Sequence, residues 1–142
     1  MYCLSLRQPL PYAILAGHLA LAPVKGLWTY RGPLLLHSGK SAFGGCETVP
    51  GGWELLQRTL LTTTGVEIPP LADLPRGGFV GVARVTALAY GVATPWFPGN
   101  LALRIEGAVE LPFTPWRGEQ GLFEVTDEEI VRMAEAALKG RG

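Results

Sequence analysis

The sequence predicts an α+β domain, mainly β with flanking helices, arranged as a small β-barrel. Three observations carry that expectation. Short apolar segments of strand length are separated by Gly and Pro. Few segments show a helical period. The chain has 142 residues with no internal repeat and no interdomain linker, which suits a single domain, 1–142, able to bury one core. Many short strands and few helices in that length favour a barrel over a layered α/β fold.

The elements follow in order. Residues 3–6 read as a strand that stops at Gln8-Pro9. Pro11 suits the first turn of a helix, where its missing N–H costs nothing, and Gly17 ends that helix. Residues 19–22 form a candidate strand broken by Pro23, and 26–30 a loop or irregular strand. Arg31-Gly32 makes a turn, and 33–37 is an apolar strand expected to be buried on both faces. Residues 38–52 are expected to form the longest loop, and 65–78, with Pro69, Pro70 and Pro75, a second irregular connection.

Between them, 53–63 reads as a helix with Trp53, Leu56, Leu60 and Leu61 near one face. Residues 79–88 are the strongest strand. In 101–109, alternation places Leu101, Leu103, Ile105 and Val109 on one side and Arg104 and Glu106 on the other. A further strand is expected at 121–125. The C-terminal helix, about 127–139, has Thr126 and Glu129 spaced as a capping box. Its apolar stripe is Ile130, Val131, Ala134, Ala137 and Leu138.

Composition limits the function classes. Hydrophobic residues make up 48% and charged residues 17%, a globular and not a disordered balance. Twelve basic residues offset twelve acidic ones, which argues against a histone-like nucleic-acid binder but leaves room for a local basic patch. Cys3 and Cys46 are too few for a disulfide framework and match no zinc spacing, and no His/Asp/Glu cluster has ligand spacing. No metal and no cofactor are therefore expected. Ser38-Gly39-Lys40-Ser41 resembles the end of a phosphate loop, but Leu34 stands where the loop's first glycine is required. No segment reads as a signal peptide or a membrane span, so a cytoplasmic location without membrane association is expected.

Four ordered stretches carry a family resemblance: Leu4-Ser5-Leu6-Arg7-Gln8-Pro9; Tyr30-Arg31-Gly32-Pro33-Leu34-Leu35-Leu36-His37; Gly77-Gly78-Phe79-Val80-Gly81-Val82-Ala83; and Trp96-Phe97-Pro98-Gly99 through Leu111-Pro112-Phe113, Arg117-Gly118 and Gly121-Leu122-Phe123. Together they resemble the ASCH domain family of the PUA-like superfamily. The resemblance implies a small β-barrel with flanking helices and a role in RNA binding or RNA metabolism. One stretch departs from the family. After Gly17 the family pattern has Lys, Glu and Arg where this chain has Leu19, Ala22 and Val24. The Lys and Thr that resembling amidohydrolases of acetylated cytidine use are likewise unmatched, so the reading leans away from an enzyme, and no catalytic residue is assigned.

For nucleic acid, cations beside aromatics are the informative pattern, because bases stack on rings while cations hold phosphates. Lys25, Trp28, Tyr30 and Arg31 supply it in one loop, with Lys40 beyond the next strand. The resemblance places Arg7 and Gln8 at the same barrel mouth. The alternative is that Trp28 and Tyr30 plug the barrel and Arg31 pairs with a carboxylate. His37 reads as a hydrogen-bonded strand-end histidine, His18 as a surface or capping residue, Ser5 as a strand serine facing a polar pocket, and Arg76, Arg84 and Arg117 as solvated surface. The leading expectation is thus a domain binding RNA or a nucleotide-like ligand through Arg7, Gln8, Lys25, Trp28, Tyr30, Arg31 and Lys40. A hydrolase of a modified nucleoside is the second. A protein-interaction module with a degenerate pocket is the third, and exposure of the apolar stretch 19–22 would support it.

Overall fold

The computed structural model describes residues 1–26 and 28–141, the last without its side chain. Leu27, within the expected loop at 26–30, lies outside the described residues, as does Gly142. Six strands form one mixed sheet: β1 (Tyr2–Gln8), β2 (Leu21–Pro23), β3 (Gly32–Ala42), β4 (Gly78–Tyr90), β5 (Leu101–Pro115) and β6 (Leu122–Glu124). Three helices accompany it: α1 (Leu10–Leu15), α2 (Gly52–Thr64) and α3 (Glu128–Arg141). The strand order is β2-β5-β4-β3-β1-β6, with β1 and β3 parallel and the other pairs antiparallel.

The sheet is not closed into a barrel, contrary to the sequence expectation. Closure would need its two edges, β2 and β6, to pair, and each is three residues long. Pro23 ends β2 without a donor for another strand. Short edges and a terminal proline keep such strands from recruiting partners. Curvature comes instead from bulges in the long β4–β5 pair, whose register shifts at three places.

Two apolar clusters lie on opposite faces of the sheet. The larger joins Leu4, Leu6, Leu34, Leu36, Val80, Leu103 and Ile105 to α1, to Trp53 and Leu60 of α2, and to Trp96 and Phe97. The smaller joins Cys3, Leu35, Phe79, Val82 and Phe123 to Ile130, Ala134 and Leu138 of α3. Central β3 feeds both clusters through three consecutive leucines, so the expected two-faced burial is present. Alternation explains it: helices cover both faces, so neighbouring residues on β3 both meet apolar partners.

Several local expectations change. The stretch after His37 is not yet a loop: β3 continues to Ala42, which pairs with Gln8 of β1, and a 3-10 segment (Phe43–Thr48) follows. Glu47 closes the junction by accepting the Ala42 amide hydrogen at 2.9 Å. Val109 does not share a face with Leu103 and Ile105; it packs on the α3 side. The cause is an extra residue in β5, since Val82 and Arg84 oppose Val109 and Glu106, and Gly107 adopts φ 61° there. A one-residue insertion reverses the facing of everything beyond it. In α2, Leu60 is buried but Leu61 is exposed, because adjacent helical residues point about 100° apart. At α3 the cap is Asp127 and not Thr126: its Oδ1 accepts the Ile130 amide hydrogen at 3.1 Å.

Candidate functional site

The seven expected site residues do not converge. Four lie at the end of the sheet where β3 begins. Lys25 follows β2, Tyr30 and Arg31 precede Gly32, and Trp28 sits in the connection between them. Arg7, Gln8 and Lys40 lie at the other end, where parallel β1 and β3 finish. From Gly32 to Lys40 the chain advances eight residues in β3, about 26 Å at 3.3 Å per residue. A mononucleotide cannot span that distance.

At the first end, backbone carbonyls hold Trp28, Tyr30 and Arg31. Trp28 Nε1 donates to the Lys25 carbonyl at 3.1 Å, and Arg31 Nη1 donates to the Tyr30 carbonyl at 2.8 Å. Tyr30 Oη donates to the Pro33 carbonyl at 2.5 Å. Partial burial, with the neighbouring Tyr2 second, raises the Tyr30 pKa and keeps its phenol a donor. Tyr2 meets Tyr30 edge-on, ring centroids 4.8 Å apart. Trp28 is 36% exposed and Tyr2 37%, so these rings present area to solvent instead of plugging a core. Lys25 and Arg31 are exposed beside them.

Tyr90, the last residue of β4, lies beyond this end and was not anticipated. It is 68% exposed. Sequence alone makes it the final residue of an apolar strand; β4 runs five residues past the Val85 that pairs with Gly32, so Tyr90 stands about 16 Å beyond the start of β3, where it pairs with Leu101 of β5.

The second end differs in kind. Gln8 is buried and both ends of its amide are used: Nε2 donates to the Pro75 carbonyl at 3.0 Å, and Oε1 accepts the Tyr12 amide hydrogen at 3.2 Å. It locks β1 to α1 and to the connection before β4, and has no free edge for a base. Lys40 lies beside Arg76, whose Nη1 donates to the Lys40 carbonyl at 3.0 Å; with Leu74 they line a shallow depression of about 360 Å³. Arg76 was expected as mere solvated surface. Its place follows from the pairing of Ser38 with Gly78, which sequence does not display. The Ser38–Ser41 stretch is extended strand, so it offers no phosphate-cradling loop.

His37 is buried in β3 and bonded through both ring nitrogens, to Ser5 Oγ at 3.1 Å and to the Trp116 carbonyl at 2.8 Å. His18 is exposed after α1. A larger depression of about 710 Å³ lies between α3 and the β6 edge, lined by Met1, Glu124, Arg132 and Lys139 among others. It contains none of the seven residues, and its mixed charges favour no one ligand sign. Among the described residues no three His, Cys, Asp or Glu side chains could hold a metal ion, and no helix is long and apolar enough to cross a membrane. In the stretch 19–22, whose exposure would support an interaction module, Ala22 is buried, Leu19 and Leu21 pack against the larger cluster, and Ala20 is exposed.

Compared with protein-family models and with curated proteins, the chain matches none.

Proposed function

We propose that this chain is an ASCH-type domain of the cytoplasm that binds single-stranded RNA at the end of the sheet carrying Lys25, Trp28, Tyr30 and Arg31. The observation that carries the proposal is the aromatic and cationic surface there, with Trp28, Tyr30 and Arg31 each held by a backbone carbonyl. Rings fixed in this way lose little freedom when a base stacks on them, while exposed Lys25 and the remaining N–H groups of Arg31 can meet phosphates. Tyr2, edge-on to Tyr30, extends the aromatic surface, so more than one base can stack there.

The surface favours a binding module over a hydrolase that uses Lys25 with His37. Lys25 follows β2, and three strand-to-strand steps separate β2 from the β3 that holds His37, about 14 Å at 4.8 Å per step. No single bond could contact both. Replacing Trp28 by Ala is expected to weaken binding of a short labelled RNA by about 1–3 kcal/mol in an anisotropy titration, the range for one lost stacking ring. Unchanged affinity in Trp28→Ala would remove the stacking platform from the account.

A further inference from the structure

We infer that Ser5, His37 and the Trp116 carbonyl form a nucleophilic site for acyl transfer, separate from the RNA surface and independent of that reading. The tautomer follows from geometry. A carbonyl only accepts, so His37 Nε2, 2.8 Å from the Trp116 oxygen, carries a hydrogen. The neutral ring therefore presents a lone pair at Nδ1, and Ser5 Oγ, 3.1 Å away, donates its proton to it. Nucleophile, base and a third group orienting the base stand in sequence, which is the arrangement that activates a serine.

The surroundings suit that role. The His37 ring meets the edges of Phe79 and Phe123 at centroid distances of 5.9 and 6.0 Å. Gly118 lies directly against it, since a Cβ there would fall 2.4 Å from His37 Cε1. The base is thus fixed in place. Ser5 is only half-buried. Beside it, Gly39 has no side chain; a Cβ at that position would stand 3.7 Å from Ser5 Oγ, so its absence leaves the approach open. Arg7 is exposed on the same face of β1, two residues and about 7 Å along the strand. The Ser5 amide donates toward β6, to the Gly121 carbonyl, and strand alternation turns the Arg7 amide to that same edge, past the end of β6. An attacked carbonyl oxygen could lie there beside a backbone donor.

The substrate class that fits is an ester of a small carboxylic acid whose alcohol part carries negative charge for Arg7. Ser5 Oγ attacks the carbonyl carbon, and its proton passes to His37 Nδ1. The ester C–O bond breaks, and the alcohol leaves with that proton. Water then attacks the acyl-serine, giving its proton to Nδ1, and the carboxylic acid departs as Ser5 Oγ regains a proton.

A neutral fluorophosphonate probe tests this directly, because Ser5 would displace fluoride and retain the phosphonyl group. Peptide mapping by mass spectrometry is expected to place the adduct on Ser5 in the folded chain, to lose it in Ser5→Ala, and to slow it at least about 100-fold in His37→Gln. Ser5→Ala removes one oxygen from a half-buried position, so it preserves the fold if His37→Gln does not. Arg7→Gln should lower kcat/KM for an anionic ester about tenfold relative to a neutral one. Absence of a Ser5 adduct in the folded protein, or ester hydrolysis undiminished in Ser5→Ala, overturns the inference.

Discussion

The two ends of the β1–β3 pair use polar and aromatic side chains in opposite ways. Where β3 begins, Trp28, Lys25 and Arg31 stand in solvent beside half-buried Tyr30, and the hydrogen bonds of Trp28, Tyr30 and Arg31 go to carbonyls of their own loop or strand. From the middle of the pair, at His37, to the far end, at Gln8, both side chains are buried, and every bond they make reaches a different segment. The first end can change without disturbing the sheet, and the second cannot. Ligand-binding surface and structural polar network are thus separable on one pair of strands, although both draw on the same residue types.

Breaking the shared strand should damage both ends. Leu36 of β3 is fully buried, and Leu36→Ala is expected to cost about 2–5 kcal/mol in denaturant unfolding, with RNA binding and Ser5 labelling lost together near the midpoint. A loss confined to one end would show that the ends do not depend on common packing.

A smaller change should separate them. Gly118→Ala places a Cβ against the His37 ring, which two phenylalanine edges keep from moving away. We expect a loss of about 1–3 kcal/mol in stability and a displaced His37, with RNA affinity unchanged within about twofold. A marked fall in RNA affinity would mean that the ends are coupled.

Cys3 gives a pH-dependent probe of the buried interior. Burial raises its pKa far above the ordinary thiol range, an effect only partly offset by the nearby N-terminal charge. The folded chain keeps the proton that the unfolded chain releases, so the stabilisation is complete below about pH 8.5 and is lost as pH rises beyond it. Stability should fall by up to about 1.4 kcal/mol per pH unit there, and Cys3→Ala should flatten that slope in equilibrium unfolding. An identical slope in the variant would assign the fall to other groups.

What could be read from the sequence follows from range. Local signals held: Pro11 and Gly17 bracket α1, the three leucines of β3 are buried, and Trp53 packs in the core. Register did not show. The extra residue at Gly107 turned Val109 to the other face, and nothing in the alternation of 101–109 announces it. The candidate site suffered in the same way. Lys25, Trp28, Tyr30 and Arg31 are neighbours in the chain and stay together, whereas Arg7, Gln8 and Lys40 joined them only through an assumed barrel mouth. Ser5 and His37, 32 residues apart, meet because β1 and β3 are parallel in one particular register. Pairing of that kind has no signature in either segment alone.

The salt dependence of RNA binding tests the central claim most directly. If Lys25 and Arg31 each neutralise one phosphate, log affinity for a short single strand should fall against log salt with a slope of about −1.4, at about −0.7 per contact. Combining Lys25→Gln with Arg31→Gln should bring that slope close to zero. No binding at low salt, or a slope that survives the double substitution, would contradict the account.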